Sequence, residues 1–220
     1  MGLDSQAIAA GEAFVSLFLR LRAKAIDDPR IFAALEQTPR YNFVDPSYIP
    51  LALNNCVIPI TCGEYIERLD EQIILISSLQ LEKKHRVLEV GTGSGFTAAL
   101  MARLAGRVTT VERYKTLCDQ ARQHFQALGI DNIILRQTDA VRSLAGSGPF
   151  DRIIIWPSLE DEPQSFMELL AGNGVLVAPV GPGDGVQTIV RYAKIGSRFE
   201  RTDMFRVRYQ PFINGVAAIL

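Results

Sequence analysis

The feature that most constrains this chain is the alternation of apolar, strand-like runs with helical runs from residue 85 onward. "RVLEV" precedes a helical pattern over 95–105, "RVTTVE" one over 114–128, and "DRIIIW" one over 163–171, with "NIILRQT" and "GVLVAPV" as further strand-like runs. Parallel strands need long crossover connections, and helices in those connections cover both faces of the sheet. The pattern therefore predicts an α/β fold with a doubly wound, Rossmann-like sheet that is mostly parallel.

The last part of the chain breaks this alternation. Two strand-like runs, over about 186–195 and 198–209, follow each other without a helical run between them. Gly196 and Ser197 separate them, and glycine is favoured in the tight turns of hairpins. We expect an antiparallel hairpin at one edge of the sheet.

The N-terminal third has a different pattern. Helical periodicity appears over 6–26, 29–37 and 64–80, and the intervening segment, 38–63, has little periodicity. We expect residues 1–80 to form a helical extension packed on a core of residues 81–220, the whole being one compact domain. A chain of 220 residues is long enough for such a core.

A glycine-rich stretch follows the first strand of the alternation. Gly91, Gly93 and Gly95 stand at alternate positions, with Glu89 just ahead of them. In a doubly wound sheet this loop faces the ligand crevice, where glycines allow close approach and positive φ. A dinucleotide fingerprint, GxGxxG, would place its third glycine at Phe96, which disfavours a nicotinamide dehydrogenase. The observed spacing, ExGxGxG, resembles the first motif of methyltransferases that use S-adenosylmethionine (SAM).

Carboxylates end the next two strands. Glu112 is placed to accept hydrogen bonds from both ribose hydroxyls, and Asp139 to accept one from the adenine amino group. The alternatives are that Glu112 is a solvated strand end and that Asp139 caps a helix. With SAM as cofactor and S-adenosyl-L-homocysteine as product, the predicted cofactor-binding residues are Glu89, Gly91, Thr92, Gly93, Ser94, Gly95, Glu112, Arg113, Asp139 and Ala140.

Composition excludes several classes of function. The net charge is −1, without the basic excess of proteins that bind nucleic acid or anionic membranes, and no apolar run has the length of a membrane span. Residues 1–10 lack a positively charged leader, which favours a cytoplasmic protein. Three cysteines and two histidines lack the spacing of a zinc site or a disulfide framework, so we predict no metal.

Over about residues 15–212 the chain resembles the protein-L-isoaspartate O-methyltransferases. The matching motifs are "LRAKAIDDPRIFAALEQTPRYNFV", "VLEVGTGSGFTAAL", "VTTVER", "GPFDRIII", "GNGVLVAPVG" and "VRYQPF". The resemblance implies SAM-dependent methylation of isoaspartyl carboxyl groups in damaged proteins, which is a repair reaction. The expected partners are therefore SAM and an isoaspartyl protein or peptide.

One segment departs from the family pattern PIGxGQTISQP, which forms part of the substrate pocket. Here the aligned residues read "PITCGEYIERL", so that Glu64, Tyr65 and Glu67 replace the family's Gln, Thr and Ser. The resemblance places Tyr65, Ile66 and Glu67 at the catalytic position. The departure leaves open a methyltransferase of the same lineage with a different substrate, such as an unknown small molecule, or a catalytically silent SAM-binding protein.

Glu67 decides between these alternatives. Two unit charges ~4 Å apart at an effective dielectric of ~20 interact by about 4 kcal/mol, so an ionised Glu67 would repel a carboxylate substrate. Pairing with Arg206 or Arg208 would remove this objection. Glu64 has a partner at helical spacing in Arg68, which leaves Glu67 free. Otherwise the substrate differs, or the glutamates at 64, 67 and 71 form the solvated face of the 64–80 helix. Trp156, after the "DRIII" strand, is a further candidate for shaping the pocket.

Overall fold

The computed structural model describes residues 3–144 and 146–217. The helices in this part of the chain are α1 (Leu3–Arg22), α2 (Pro29–Gln37), α3 (Leu69–Ser78), α4 (Phe96–Leu104), α5 (Lys115–Ala127), α6 (Ala140–Ser143) and α7 (Gln164–Met167). The strands are β1 (Ile58–Pro59), β2 (Tyr65–Ile66), β3 (Arg86–Val90), β4 (Arg107–Glu112), β5 (Ile133–Gln137), β6 (Phe150–Ile155), β7 (Leu170–Val180), β8 (Gln187–Ile195) and β9 (Arg198–Val207).

A seven-stranded sheet forms the centre of the molecule, in the order β5-β4-β3-β6-β7-β8-β9. The first five strands of this order pair in parallel, and their central members are nearly continuous apolar runs, as expected where helices cover both faces. β7, β8 and β9 pair antiparallel. The predicted Rossmann-like α/β fold with an antiparallel edge is confirmed, and the β8–β9 turn falls at Gly196 and Ser197 as expected.

The strand order fixes where a ligand can bind. From β3 the chain moves outward to β4 and β5, then returns to the other side of β3 for β6 and β7. The connections that leave the carboxyl ends of β3 and β6 therefore diverge, which opens a crevice between them. The glycine-rich loop follows β3 at this point, and Trp156 follows β6.

The N-terminal helices close one face of the sheet. Leu17 and Leu21 of α1, Phe32 of α2 and Ile73 of α3 are buried in one apolar cluster that also holds Phe96 of α4. α2 begins where the sequence predicts, because the Asp28 side chain accepts a hydrogen bond from the Arg30 backbone N–H and Pro29 occupies the first turn. The N-terminal segment and the sheet thus share a core.

The predicted helix over 64–80 is wrong in its first turn. Tyr65 and Ile66 form β2, which pairs antiparallel with β1, and α3 begins only at Leu69. Ile66 is buried opposite Ile58, so the strand pairing outweighs the weak helical periodicity of these residues. The helical stripe itself starts at Leu69, and Asp70 and Glu71 complement the helix dipole in the first turn.

Arg40 fixes the position of the segment that holds β2. Its side chain is 1% exposed and lies in the 3₁₀ turn Arg40–Phe43. Nη1 donates to the Ala52 carbonyl at 3.0 Å and Nη2 to the Glu67 carbonyl at 2.7 Å, while the guanidinium carbon lies 5.7 Å from the Phe96 ring centroid. The buried cation therefore holds the backbone at the end of β2 against the start of α4.

Candidate active site

A cleft opens at the carboxyl ends of β3, β4, β5 and β6. Its walls come from the β1–β2 region, the glycine-rich loop, the ends of β4 and β5, the residues after β6 and the C-terminal segment. The predicted site residues among them are Tyr65, Ile66, Glu67, Gly91, Thr92, Gly93, Ser94, Glu112, Arg113, Asp139 and Ala140.

Two glycines give the cleft its bare floor. Gly91 has φ 93° and Gly93 has φ 53°, both in the left-handed region that glycine adopts without strain. A Cβ on Gly91 would lie 3.2 Å from Cδ of Pro157, and a Cβ on Gly93 would lie 3.5 Å from Cδ1 of Ile60. Side chains at these positions would fill the space between the loop and the walls of the cleft.

Gly95 stands at the junction of the glycine loop with α4. It does not line the cleft; it precedes α4 with φ 89°. A Cβ there would lie 2.8 Å from Cε1 of Phe125 and 3.0 Å from Cβ of Ala121. The absence of a side chain at Gly95 thus lets the start of α4 pack against α5.

Glu89 also lies outside the lining of the cleft. Its side chain is completely buried on β3. Oε1 accepts hydrogen bonds from Thr97 Oγ1 at 2.5 Å and Trp156 Nε1 at 2.9 Å, and Oε2 accepts one from Thr110 Oγ1 at 2.7 Å. Burial raises the pKa of this carboxyl to about 7 against the effect of those hydrogen bonds. Glu89 therefore joins β3, β4, α4 and the residue after β6 beneath the glycine loop.

Glu112 stands at the end of β4, at the edge of the glycine loop. Its Oε2 accepts from the Gly93 N–H at 3.0 Å, and Oε1 accepts from the N–H groups of Arg113 at 2.7 Å and Tyr114 at 3.1 Å. The side chain is 7% exposed, so it is not a solvated strand end. Burial raises the pKa of the carboxyl despite these three donors.

Asp139 caps a helix, which is one of the two interpretations of its position. Its Oδ1 accepts from the N–H groups of Val141 at 2.9 Å and Arg142 at 3.0 Å, which caps α6. Its Oδ2 accepts from the Gly215 N–H at 2.7 Å. Backbone hydrogen bonds, the largest from Arg142, lower the pKa of Asp139, so the group is an anion at neutral pH. It also lines the cleft, beside Ala140.

The C-terminal segment forms a wall that the sequence did not reveal. The N–H of Ser158 donates to the Gln210 carbonyl at 2.7 Å, and the N–H of Phe212 donates to the Ser158 carbonyl at 2.8 Å. Further on, the Ala217 N–H donates to the Arg113 carbonyl at 3.1 Å. The cleft residues of this wall are Gln210, Pro211, Phe212, Ile213 and Gly215.

Glu67 lies inside the cleft wall. It is 9% exposed, so the prediction of a solvated helix face at this position is wrong. Burial raises the pKa of its carboxyl to about 8. In the described parts of the chain it has no ion pair, and the expected partners Arg206 and Arg208 form none with it. Arg68 pairs with Glu71 at 3.4 Å, since the helix begins too late for Glu64 to reach it.

The wall of the cleft next to Glu67 is built from segments that are distant in the sequence. The Tyr65 hydroxyl donates to the Arg208 carbonyl at 3.2 Å, and the Tyr65 N–H donates to Oε1 of Gln210 at 3.4 Å. Glu64 interacts with Tyr114 across the cleft, and burial raises its pKa. Trp156 is 5% exposed and lines the cleft opposite, as the sequence suggested it would.

The cleft has polar atoms without partners. Within residues 3–144 and 146–217, the buried Ser94 Oγ and Gln72 Oε1 make no hydrogen bond, and both residues line the cleft. Buried polar atoms are almost always hydrogen-bonded, so these are placed to meet a ligand. The ionisable acidic and basic side chains of the lining include the carboxyls of Glu64, Glu67, Glu112 and Asp139, and the guanidinium of Arg113. An excess of carboxyl groups and a bare glycine turn fit a cationic sulfonium with an amino-acid tail.

The fold and this cleft define a Rossmann-like, SAM-dependent methyltransferase. A comparison with protein-family models matches residues 14–217 to Protein-L-isoaspartate(D-aspartate) O-methyltransferase. The chain belongs to this family, whose members are SAM-dependent carboxyl O-methyltransferases.

Relatives and solved structures agree. A protein-L-isoaspartate O-methyltransferase of Bradyrhizobium sp. (strain ORS 278) is 42% identical over 199 residues, covering 90% of this chain and 93% of the relative. One from Rhizobium meliloti (strain 1021) is 40% identical over 202 residues, covering 92% and 99%. Among solved structures, a protein-L-isoaspartate O-methyltransferase superposes with a TM-score of 0.80 at 22% identity, covering 92% of this chain and 67% of the other.

A second structure, from Plasmodium falciparum, is described as a protein-L-isoaspartate O-methyltransferase in complex with S-adenosyl-L-homocysteine. It superposes with a TM-score of 0.75 at 22% identity and covers 89% of this chain and 96% of that one. These two likenesses establish the fold. In the described residues, no helix has the length and apolarity needed to cross a membrane, and no three metal-ligating side chains cluster.

Proposed function

We propose that this protein transfers the methyl group of SAM to the side-chain carboxylate of isoaspartyl residues in peptides and proteins. The observation that carries the proposal is the meeting of three strand ends in one cleft: the bare turn at Gly91 and Gly93, Glu112 after β4, and Asp139 after β5. The family membership supports the same reaction. The Plasmodium falciparum neighbour, which has this fold, holds the product of such a transfer.

The cofactor assignments follow from the hydrogen-bond acceptor positions that each group has not used within the protein. Glu112 and Asp139 each retain acceptor capacity beyond their backbone partners, because an ionised carboxylate has about four acceptor positions. We assign Glu112 to the ribose hydroxyls and Asp139 to the adenine amino group. Gly91, Thr92, Gly93 and Ser94 form the floor for the amino-acid end, with the unpartnered Ser94 Oγ as one contact. Arg113 and Ala140 follow the two carboxylates in the same wall.

The chemistry asks little of acid–base groups. When SAM is bound, a carboxylate oxygen bonds to its methyl carbon while the carbon–sulfur bond breaks, its electron pair passing to sulfur, to give a methyl ester and S-adenosyl-L-homocysteine. A carboxyl group with a pKa near ~3.9 is already ionised at neutral pH. The protein has to align the attacking oxygen and exclude water, and such positioning supplies several kcal/mol. Trp156, Ile66 and Phe212 give the cleft the apolar surface for this task.

A second candidate is a methyltransferase of the same lineage with a different acceptor. It is favoured by Glu64 and Glu67, which stand where the family has uncharged side chains. A silent SAM-binding protein is a third. We also propose that the protein works in the cytoplasm, since Cys56, Cys62 and Cys118 are all free thiols.

The experiment is a transfer assay with methyl-labelled SAM. An isoaspartyl peptide is compared with the same peptide carrying normal aspartate. Label on the isoaspartyl peptide alone, released by mild base as from a methyl ester, is the expected result. Binding of SAM in calorimetry without label on that peptide would contradict the proposed substrate, and turnover on another acceptor would then favour the second candidate.

A further inference from the structure

The carboxyl of Glu67 lies in the wall of the cleft at the position where the family motif has a serine. The residue follows Ile66 of β2 and precedes α3, and its backbone is fixed by the hydrogen bond from Arg40 Nη2 to its carbonyl. Ile66 itself reaches the glycine turn: its Cγ2 lies 3.9 Å from the position of a Cβ on Gly93. Glu67 is therefore held beside the part of the cleft where the amino-acid end of the cofactor is assigned.

Among the residues that the structure describes, no cation forms an ion pair with this carboxyl. The charged and titratable groups that face it are Arg40 from the 3₁₀ turn, Glu71 from α3, Glu89 from β3, Tyr65 from β2 and Tyr209 after β9. Arg40 donates hydrogen bonds from Nη1 and Nη2 to the backbone carbonyls of Ala52 and Glu67. The Tyr209 hydroxyl donates to Glu71 Oε2 at 3.0 Å. Two of these neighbours are carboxyl groups that disfavour a further negative charge.

Burial is the largest cause of the raised pKa of Glu67, about 8, and the nearby Glu71 and Glu89 act in the same direction. The cation of Arg40 and a hydrogen bond from the backbone N–H of Glu67 act against it. At neutral pH the uncharged form thus dominates. An uncharged carboxyl has an O–H donor, whereas an ionised one only accepts.

We infer that Glu67 works as a neutral carboxylic acid whose O–H donates a hydrogen bond to one oxygen of the substrate carboxylate. The other substrate oxygen is left to accept the methyl group, and Glu67 keeps its proton throughout. This inference rests on the proposed function. The O–H group of Glu67 would take the place of the serine hydroxyl of the family motif, so that one O–H donor replaces another. An ionised Glu67 would repel the same substrate.

The buried Gln72 gives this arrangement a second fixed point. It lies on α3, is 2% exposed and lines the same cleft, with its Oε1 unpartnered among the described residues. The amide of such a side chain also carries two N–H donors. Glu67 and Gln72 thus line the same cleft, and we assign the N–H groups of Gln72, not its unpartnered oxygen, to the same substrate carboxylate.

The test uses the full-length protein and four forms: wild type, Glu67→Gln, Glu67→Ala and the control Glu200→Gln, an exposed carboxylate on β9 at the far edge of the sheet. Initial rates with an isoaspartyl peptide are measured from pH 6 to 10. The product measured is S-adenosyl-L-homocysteine, because its amount does not change when the methyl ester hydrolyses. Infrared difference spectra of wild type against Glu67→Gln at pH 7 detect the C=O stretching band of a protonated carboxyl without any turnover. Circular dichroism shows that each variant is folded.

Wild type and Glu200→Gln are expected to lose kcat/KM by about tenfold per pH unit above about 8, as the donor is lost. Glu67→Gln keeps a donor and is expected to stay within about threefold of wild type at pH 7, without that decline. Glu67→Ala is expected to raise KM by about tenfold or more with a smaller change in kcat. The difference spectrum of wild type against Glu67→Gln at pH 7 is expected to show the band of one protonated carboxyl, that of Glu67.

Three results would overturn the inference. One is a wild-type rate that rises through pH 8, which would make the anion the working form. Another is a decline that persists unchanged in Glu67→Gln. The third is the absence of the protonated-carboxyl band at pH 7. A folded wild type that shows the band yet methylates no isoaspartyl peptide at any pH would instead refute the proposed function, and with it the assigned hydrogen-bond partner of Glu67.

Discussion

The indole Nε1 of Trp156 donates a hydrogen bond to Oε1 of Glu89 at 2.9 Å, beneath the glycine loop. Glu89 is the penultimate residue of β3, and Trp156 directly follows the neighbouring strand β6. Both are buried, at 5% and 0% exposure. The only tryptophan of the chain thus connects the residue after β6 with β3 beneath the glycine loop.

Removing this bond is expected to destabilise the protein. Trp156→Phe keeps an aromatic ring but leaves Glu89 Oε1 with Thr97 as its remaining donor. We expect a loss of about 1–3 kcal/mol in the free energy of unfolding, measured by urea denaturation with circular dichroism as the signal. In a double-mutant cycle with Glu89→Gln, the two losses should be non-additive by more than about 0.5 kcal/mol. Additive losses would mean that the bond contributes nothing.

Stability should decrease as the pH rises from 5 to 9. Glu67 and Glu89 have folded-state pKa values of about 8 and about 7, raised above the ordinary value of 4.5. Between the unfolded and folded pKa values the native state binds more protons than the unfolded state, so the free energy of unfolding falls with pH. The expected decrease is on the order of a few kcal/mol.

The Glu67→Gln variant isolates one of the two groups. Its free energy of unfolding should fall less steeply between pH 5 and 9 than that of wild type, because the amide does not titrate. Urea denaturation at several pH values measures both curves. Parallel curves for the two proteins would show that Glu67 is ionised throughout this range.

Glu112 should determine the affinity for the cofactor. Glu112→Gln loses one acceptor and the negative charge, so we expect the Kd for SAM to rise by about tenfold or more in calorimetry. Glu200→Gln is the matched control, since this exposed carboxylate lies on β9 at the far edge of the sheet. An equal Kd for wild type and Glu112→Gln would remove the ribose assignment.

The glycines at 93 and 95 should fail in different ways when each is replaced by alanine. In Gly95→Ala the new Cβ meets Phe125 at 2.8 Å, and we expect a loss of about 1–3 kcal/mol of stability. In Gly93→Ala the Cβ enters the cleft with 3.5 Å to Ile60, and we expect weaker SAM binding in addition to the cost of its positive φ. Thermal unfolding with and without SAM separates the two effects. A Gly93→Ala protein that SAM stabilises as much as wild type would contradict the assignment.

Deleting residues 213–220 should weaken SAM binding while leaving the sheet intact. β9 ends at Val207, and the contacts removed are those of Gly215 with Asp139 and of Ala217 with Arg113. Calorimetry should show a Kd raised by about tenfold, with an unchanged sheet content in circular dichroism. Unaltered affinity would mean that this wall does not shape the cofactor site.

The sequence predicted the sheet well because its strands are long apolar runs separated by helices of clear periodicity. It also placed Gly91, Gly93, Glu112 and Asp139 in one cleft, since the carboxyl ends of parallel strands share one edge. It failed at β1 and β2, because strands of two residues have no measurable period. The burial of Glu67 was therefore not predictable: its neighbours at 64 and 71 imitate a helical face that starts only at Leu69.

Other differences arise where backbone groups, which leave no trace in a pattern of side chains, act as partners. Arg40 is an example, because its buried guanidinium binds the backbone carbonyls of Ala52 and Glu67. Asp139 accepts three backbone N–H groups, one of them from Gly215, which is distant in sequence. Such contacts depend on tertiary structure and not on local periodicity.

The wall formed by residues 210–217 has a consequence for how the protein is made. Chains are synthesised from the N-terminus, and domains generally fold as units. Glu89, Glu112 and the glycine loop are synthesised well before Gly215, and the hydrogen bond from Gly215 to Asp139 cannot form until that glycine has left the ribosome. The complete cleft therefore exists only after translation has passed Gly215.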